Sequence, residues 1–105
     1  MKLRDKDKQR LIEIFDTSTL PIVVWAYGSR VNGDAHEGSD LDLVIRTTTL
    51  EKLPIDLFLE LKEKIQNSNI PIVVEIFDWA RLPENFHKNI SAKHEELYNN
   101  STTIK

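Results

Sequence analysis

Residues 28–42, Gly-Ser-Arg-Val-Asn-Gly-Asp-Ala-His-Glu-Gly-Ser-Asp-Leu-Asp, lie between two runs best accommodated by a β-sheet, and they constrain everything built around them. The run before, Ile22-Val23-Val24-Trp25-Ala26-Tyr27, is β-branched, aromatic and apolar, and it predicts a buried strand over 22–27 that stops at Gly28. The run after, Leu41-Asp42-Leu43-Val44-Ile45, alternates and predicts a second strand over 40–46. Strand side chains have a period of two, so Asp40, Asp42 and Val44 share one face while Leu41, Leu43 and Ile45 line the other. An acidic face is set against an apolar one.

Two carboxylates held this close repel each other, a cost usually tolerated where a bound cation offsets it. Oxygen ligands of this kind suit magnesium, which is commonly held by one or two carboxylates together with substrate phosphates. Gly28 lets the backbone approach a ligand, and Ser29 adds a hydroxyl and an amide at the start of a short helix, a combination that suits a phosphate. Gly33 and Gly38 bracket a polar segment, Asn32 to Ser39, expected to lie beside the site as a loop. Alone, Asp40 reads as a turn or cap residue and Asp42 as a solvent-facing strand position. As a pair behind Gly28-Ser29 they favour metal, because a structural strand gains nothing from adjacent anions on one face.

Gly28-Ser29, Gly33 and the string Ser39-Asp40-Leu41-Asp42-Leu43, with Pro71-Ile72-Val73-Val74-Glu75-Ile76-Phe77-Asp78-Trp79 and Phe86 downstream, resemble the signature of the nucleotidyltransferase superfamily related to DNA polymerase beta. The match is nearest to its minimal branch and covers roughly residues 20–90. The resemblance implies that Asp40 and Asp42 bind divalent metal together with a nucleoside triphosphate, and that a third carboxylate from a later strand completes the site. Glu75 and Asp78 are three apart and point to opposite faces of a regular strand, so one of them joins the pair. Glu75 stands where the family usually has aspartate and is the choice. Asp78 is expected to cap a short helix starting near Trp79 or Ala80. The extra methylene of Glu75 moves its carboxylate by about one C–C bond, a displacement of the size that affects catalysis.

The resemblance further implies two magnesium ions, ATP as substrate, and transfer of AMP to a hydroxyl with release of pyrophosphate. Gly28, Ser29, Arg30 and Ser39 are the expected phosphate-binding residues; Arg30 reads either as turned inward to neutralise charge or as an exposed turn residue. Short stand-alone members of this branch are encoded beside a helical protein of the HEPN class and act as its antitoxin by adenylating it. That role is the one implied here. The alternatives are a non-catalytic nucleotide-binding subunit that masks a helical partner, and nucleotidyl transfer to a small molecule or to RNA, for which a homo-oligomer would have to build the acceptor cleft.

A chain of 105 residues with 40% hydrophobic content predicts one domain over 1–105, short of the helical domain with which larger relatives hold an acceptor. Seventeen acidic residues against 14 basic ones give a net charge of −3, which argues against extensive nucleic-acid binding. Lys2, Arg4, Lys6, Lys8 and Arg10 form a local basic cluster that reads as a solvated helix face or frayed end. No cysteine is present, no apolar run is long enough to span a bilayer, and the charged start is unlike a secretory signal. A cytoplasmic protein is expected.

Periodicity predicts a helix over 5–16 with Leu11, Ile14 and Phe15 inward, a helix over 55–67 carrying Leu57, Leu61 and Ile65 and ended by Asn67-Ser68-Asn69, and a third strand over 71–77. Pro83 marks another helix, with Phe86 and Ile90 inward, and the end of the chain is expected as a short helix or a loose tail over 99–105. On strand three, Ile72, Val74 and Ile76 join the core while Val73, Glu75 and Phe77 share the site face. His36 is expected as a loop residue, His87 and His94 as helix residues without a metal role, and Trp25 and Tyr27 as packed aromatics rather than base-stacking groups. The resulting fold class is α+β, a small mixed β-sheet with helices packed mainly on one face.

Overall fold

A computed structural model describes residues 3–32 and 40–100, apart from the side chains of Ser29 and Asn32. Gly33, His36, Gly38 and Ser39, like the tail residues 101–105, lie outside the described residues. The chain runs α1 (Asp5–Phe15), β1 (Ile22–Tyr27), α2 (Ser29–Asn32), β2 (Leu41–Thr47), α3 (Ile55–Gln66), β3 (Val74–Asp78), a 3-10 turn (Trp79–Arg81), α4 (Glu84–Ala92) and β4 (Glu95–Asn99). The strands form one mixed sheet in the order β3-β2-β1-β4. β1 is antiparallel to both β2 and β4, whereas β2 and β3 are parallel.

The period-two reading of the strands holds. Ile22, Val24 and Ala26 of β1, Leu41, Leu43 and Ile45 of β2, and Ile76 of β3 are buried in one cluster with Leu11, Ile14 and Phe15 of α1 and Leu61 and Ile65 of α3. Each fully buried leucine or isoleucine in such a core contributes about 1.5–3 kcal/mol relative to exposure. A hydrogen bond of 2.9 Å from Lys64 Nζ to Thr17 Oγ1 ties α3 to the end of α1. The basic amino terminus is not uniformly solvated: Asp7 is buried on α1 and accepts from Arg4 Nε at 2.8 Å and Nη2 at 3.1 Å. That guanidinium holds the Asp7 carboxyl below its usual range.

Several expectations are corrected. The ladder of β3 begins at Val74 rather than at residue 71, because Pro71 has no amide to donate; Val73 still offers its carbonyl to Leu41 N at 2.9 Å. α4 lies on the opposite face of the sheet from α1 and α3, where Ile90 packs with Val44 and Trp79. Its Phe86 is 44% exposed, contrary to the inward placement.

Glu95–Asn99, expected as part of a short helix or tail, forms a fourth strand. In its pairing with β1, Val24 faces Tyr98 and Trp25 faces Glu96, so Leu97 is the extra residue of a bulge. The bulge turns both Leu97 and Tyr98 into the core. Asn100 lies outside the ladder yet is fixed to β1, its Oδ1 accepting from Ile22 N at 2.7 Å and its own N–H donating to Ile22 O at 3.2 Å.

Candidate active site

The turn after β1 is built on Gly28, whose φ of 85° lies in the left-handed region that only glycine adopts without strain. A Cβ there would come within 2.9 Å of Asp42 Oδ2. Glycine is required twice, by the turn and by the carboxylate pressed against it. The Gly28 carbonyl then accepts from Val31 N at 3.0 Å, closing the first turn of α2.

Asp42 stands where three strands meet. It is the register partner of Tyr27 on antiparallel β1 and of Glu75 on parallel β3. Asp42 is half-buried and Glu75 exposed, and Asp40 is exposed just ahead of β2. Burial pushes the Asp42 carboxyl above its usual range, and the charges of Glu75 and then Asp40 raise it further. Burial, with the same anions Asp42 and Glu75, pushes the Tyr27 hydroxyl up to about 12. Among the described residues, no ion pair involves Asp40, Asp42 or Glu75. The three predicted carboxylates therefore act on one another electrostatically and form a negative patch of hard oxygen donors on one face. A divalent cation fits that chemistry. As the side chains stand, among the described residues no group of three His, Cys, Asp or Glu is drawn together enough to hold an ion.

Asp78 is excluded from the site by its own bonds. Its side chain is buried; Oδ2 accepts from Leu53 N at 2.9 Å and from Arg81 Nε at 3.1 Å, and Oδ1 accepts from Ala80 N at 3.2 Å. It caps the 3-10 turn, as expected, and fastens the segment ahead of α3 to the sheet. Arg30 is not an exposed turn residue: it is buried, and lines a cavity of about 290 Å3 with Leu3, Arg4, Asp7, Pro71 and Ile72. Ser39 lies outside the described residues.

Sequence reasoning missed a stack that rises on the site face beyond the carboxylates. The Arg46 guanidinium sits 4.0 Å from the Trp25 ring centroid and 4.5 Å from that of Trp79, while His94 stacks on Trp25 at 3.7 Å and His87 on Trp79 at 4.0 Å. Arg46 Nε is buried without a hydrogen-bond partner among the described residues, and burial lowers the guanidinium pKa. Indole faces take the place of hydrogen-bond acceptors there. The signal was available: Arg46 has the same strand parity as Asp42 and Val44. Trp25 and Tyr27 are packed as expected, Trp25 edge-on to Trp79 and Tyr27 tilted on Phe77. His94 sits beyond α4 rather than on it.

Known proteins share the sequence family and the fold. The family described as polymerase beta, nucleotidyltransferase, matches residues 9–103. The probable protein adenylyltransferase MntA of Haemophilus influenzae is 36% identical over 83 residues, which cover 77% of this chain and 69% of that protein. Among solved structures, a toxin–antitoxin crystallised with AMP-PNP superposes with a TM-score of 0.70 at 18% identity, over 91% of this chain and 76% of the other. The toxin–antitoxin MntA–HepT gives a TM-score of 0.66 at 14% identity, over 95% and 76%. At those identities the superpositions speak for the fold, and the sequence matches carry the family. The chain belongs to the polymerase beta nucleotidyltransferase family.

Proposed function

We infer that this protein transfers AMP from ATP to a hydroxyl on a partner protein, a helical toxin of the HEPN type, and so acts as its antitoxin. The observation that carries the reading is the meeting of Asp42, Glu75 and Gly28: two carboxylates side by side on parallel strands, one of them pressed against a glycine turn. The similarity to a probable protein adenylyltransferase, and the toxin–antitoxin assemblies that share the fold, support the acceptor class. A single domain over residues 1–105 and a cytoplasmic location are part of this reading; among the described residues no helix is long and apolar enough to cross a membrane.

Asp40, Asp42 and Glu75 would hold magnesium, two ions in the reactive complex, which would supply charge neutralisation along the triphosphate and a more acidic acceptor hydroxyl. Gly28 exposes backbone to the outer phosphates, Ser29 and Ser39 add hydroxyls, and Arg30 contributes positive charge behind the turn. Glu75 accepts the proton of the acceptor hydroxyl on a carboxylate oxygen. The acceptor oxygen bonds to the α-phosphorus, the bond from that phosphorus to the bridging oxygen breaks, and pyrophosphate leaves.

The test is to incubate the protein with labelled ATP, magnesium and its co-purifying helical partner, then repeat with Asp42→Asn. Label is expected on the partner with the wild type and reduced on the order of 100-fold or more with the variant. Equal labelling by both overturns the reading.

A second reading rests on the side-chain arrangement that leaves the three carboxylates ungathered. There the protein binds nucleotide and masks the partner without modifying it. Neutralisation of the partner by Asp42→Asn with no label transferred favours this second reading.

A further inference from the structure

The recess that opens beside Gly28 is closed on its far side by α4. It has a volume of about 260 Å3 and is lined by Tyr27, Gly28, Phe86, Asn89, Ile90 and Lys93. Phe86, Asn89 and Ile90 recur at i, i+3 and i+4, the spacing that puts side chains on one helical face, and Lys93 follows as the C-cap of α4. Ile90 is buried and anchors α4 to Val44 and Trp79, which leaves the other three to the opening. Phe86 is 44% exposed, a large apolar ring held at the mouth of a cavity instead of in the core. Asn89 and Lys93 are exposed beside it.

We propose that this recess seats the base of the nucleotide whose phosphates lie at Gly28 and Asp42, with Phe86 stacking on the base and Asn89 reading its edge. The proposal rests on the nucleotidyl-transfer reading above and adds the residues that select the nucleotide. Its chemistry matches a base at each point. An exposed aromatic ring stacks on any base face, and a carboxamide offers the donor and acceptor that pair with the amino group and ring nitrogen of adenine. The volume lies just below the usual range of small-molecule cavities, enough for a base and not for a whole nucleotide. The phosphates must therefore leave the recess, and Gly28, in its wall, leads directly to Asp42 Oδ2.

The experiment is equilibrium binding of labelled ATP to the full chain with magnesium, competed separately with GTP and with inorganic tripolyphosphate. Phe86→Ala is expected to weaken ATP by about tenfold or more while leaving tripolyphosphate competition unchanged, and Phe86→Trp to restore ATP binding. Asn89→Leu is expected to narrow the preference for ATP over GTP. Unaltered ATP affinity and selectivity in Phe86→Ala and Asn89→Leu, with tripolyphosphate still competing, overturns the base seat and leaves the transferase reading intact. Slower labelling of the partner protein by Phe86→Ala at unchanged ATP affinity also overturns it, since the ring would then touch the acceptor. Failure of the wild type to bind either ATP or tripolyphosphate overturns both.

Discussion

Asp42 carries opposite demands from chemistry and from stability. Its carboxyl is raised by burial and by Glu75 and Asp40, so the folded chain holds a proton there to higher pH than the unfolded chain does. Stability therefore falls as pH rises from the unfolded value toward the folded one, and the loss persists above it. Asp42→Asn is expected to melt higher than wild type at neutral pH, with the difference shrinking as pH falls toward the ordinary aspartate range and gone below it; thermal melts across pH check this. A variant that loses transfer while gaining stability would identify a strained functional group. Asp78 is the converse. Replacing it by alanine strands the buried amide of Leu53 and removes the cap of the 3-10 turn, so Asp78→Ala is expected to cost about 2–3 kcal/mol in chemical denaturation without lowering transfer per folded molecule. Parity separated Asp78 from Glu75, since positions three apart on one strand cannot share a face, and the family resemblance chose between them. Arg30 carried no such signal: whether a turn arginine faces solvent or the cleft between α1 and the approach to β3 depends on elements far from it in sequence.

Among the elements, the two central strands were legible because each carries its own alternation and each is stopped by a local breaker. β4 was not. Glu95-Glu96-Leu97-Tyr98-Asn99 has two apolar residues in succession, which fits no period of two, and only the bulge opposite Val24 and Trp25 lets both reach the core. The strand also closes an edge of β1 that would otherwise present unpaired amides and carbonyls. Tyr98 adds a hydrogen bond of 2.7 Å from its hydroxyl to Asp16 Oδ1 at the end of α1. Deleting residues 95–105 is therefore expected to abolish the cooperative thermal transition or leave an aggregating product, as read by circular dichroism and size-exclusion chromatography. An unchanged melting curve would return the segment to a loose tail. α4 was legible as a helix but not in its placement, because a helix with one buried isoleucine can lie on either side of a sheet until its partners are known.

For the whole molecule, the sheet divides the labour: α1 and α3 cover one face with apolar contacts, and the other holds the carboxylates, the Arg46 stack and α4. Two tyrosines link that division to pH. Tyr27 is pushed up to about 12 by burial and the acidic patch, and Tyr98 to about 12 by burial and its bond to Asp16. Both hydroxyls stay protonated in the folded chain above pH 10, where the unfolded chain begins to release them, so stability is expected to fall between pH 10 and about 12. Melting temperatures over that range, with a shallower decline in Tyr27→Phe and Tyr98→Phe, check the assignment. The sequence by itself determined the sheet's two central strands, the glycine turn, the acidic face and the capping role of Asp78. Each follows from backbone geometry over a few neighbouring residues: a period of two, a positive φ, a cap. Only the tertiary structure decided that β4 completes the sheet, that α4 closes a recess beside Gly28 and that Arg46 lies between two indoles. Those outcomes depend on which edges and faces remain uncovered after the core has formed, and no local pattern specifies them.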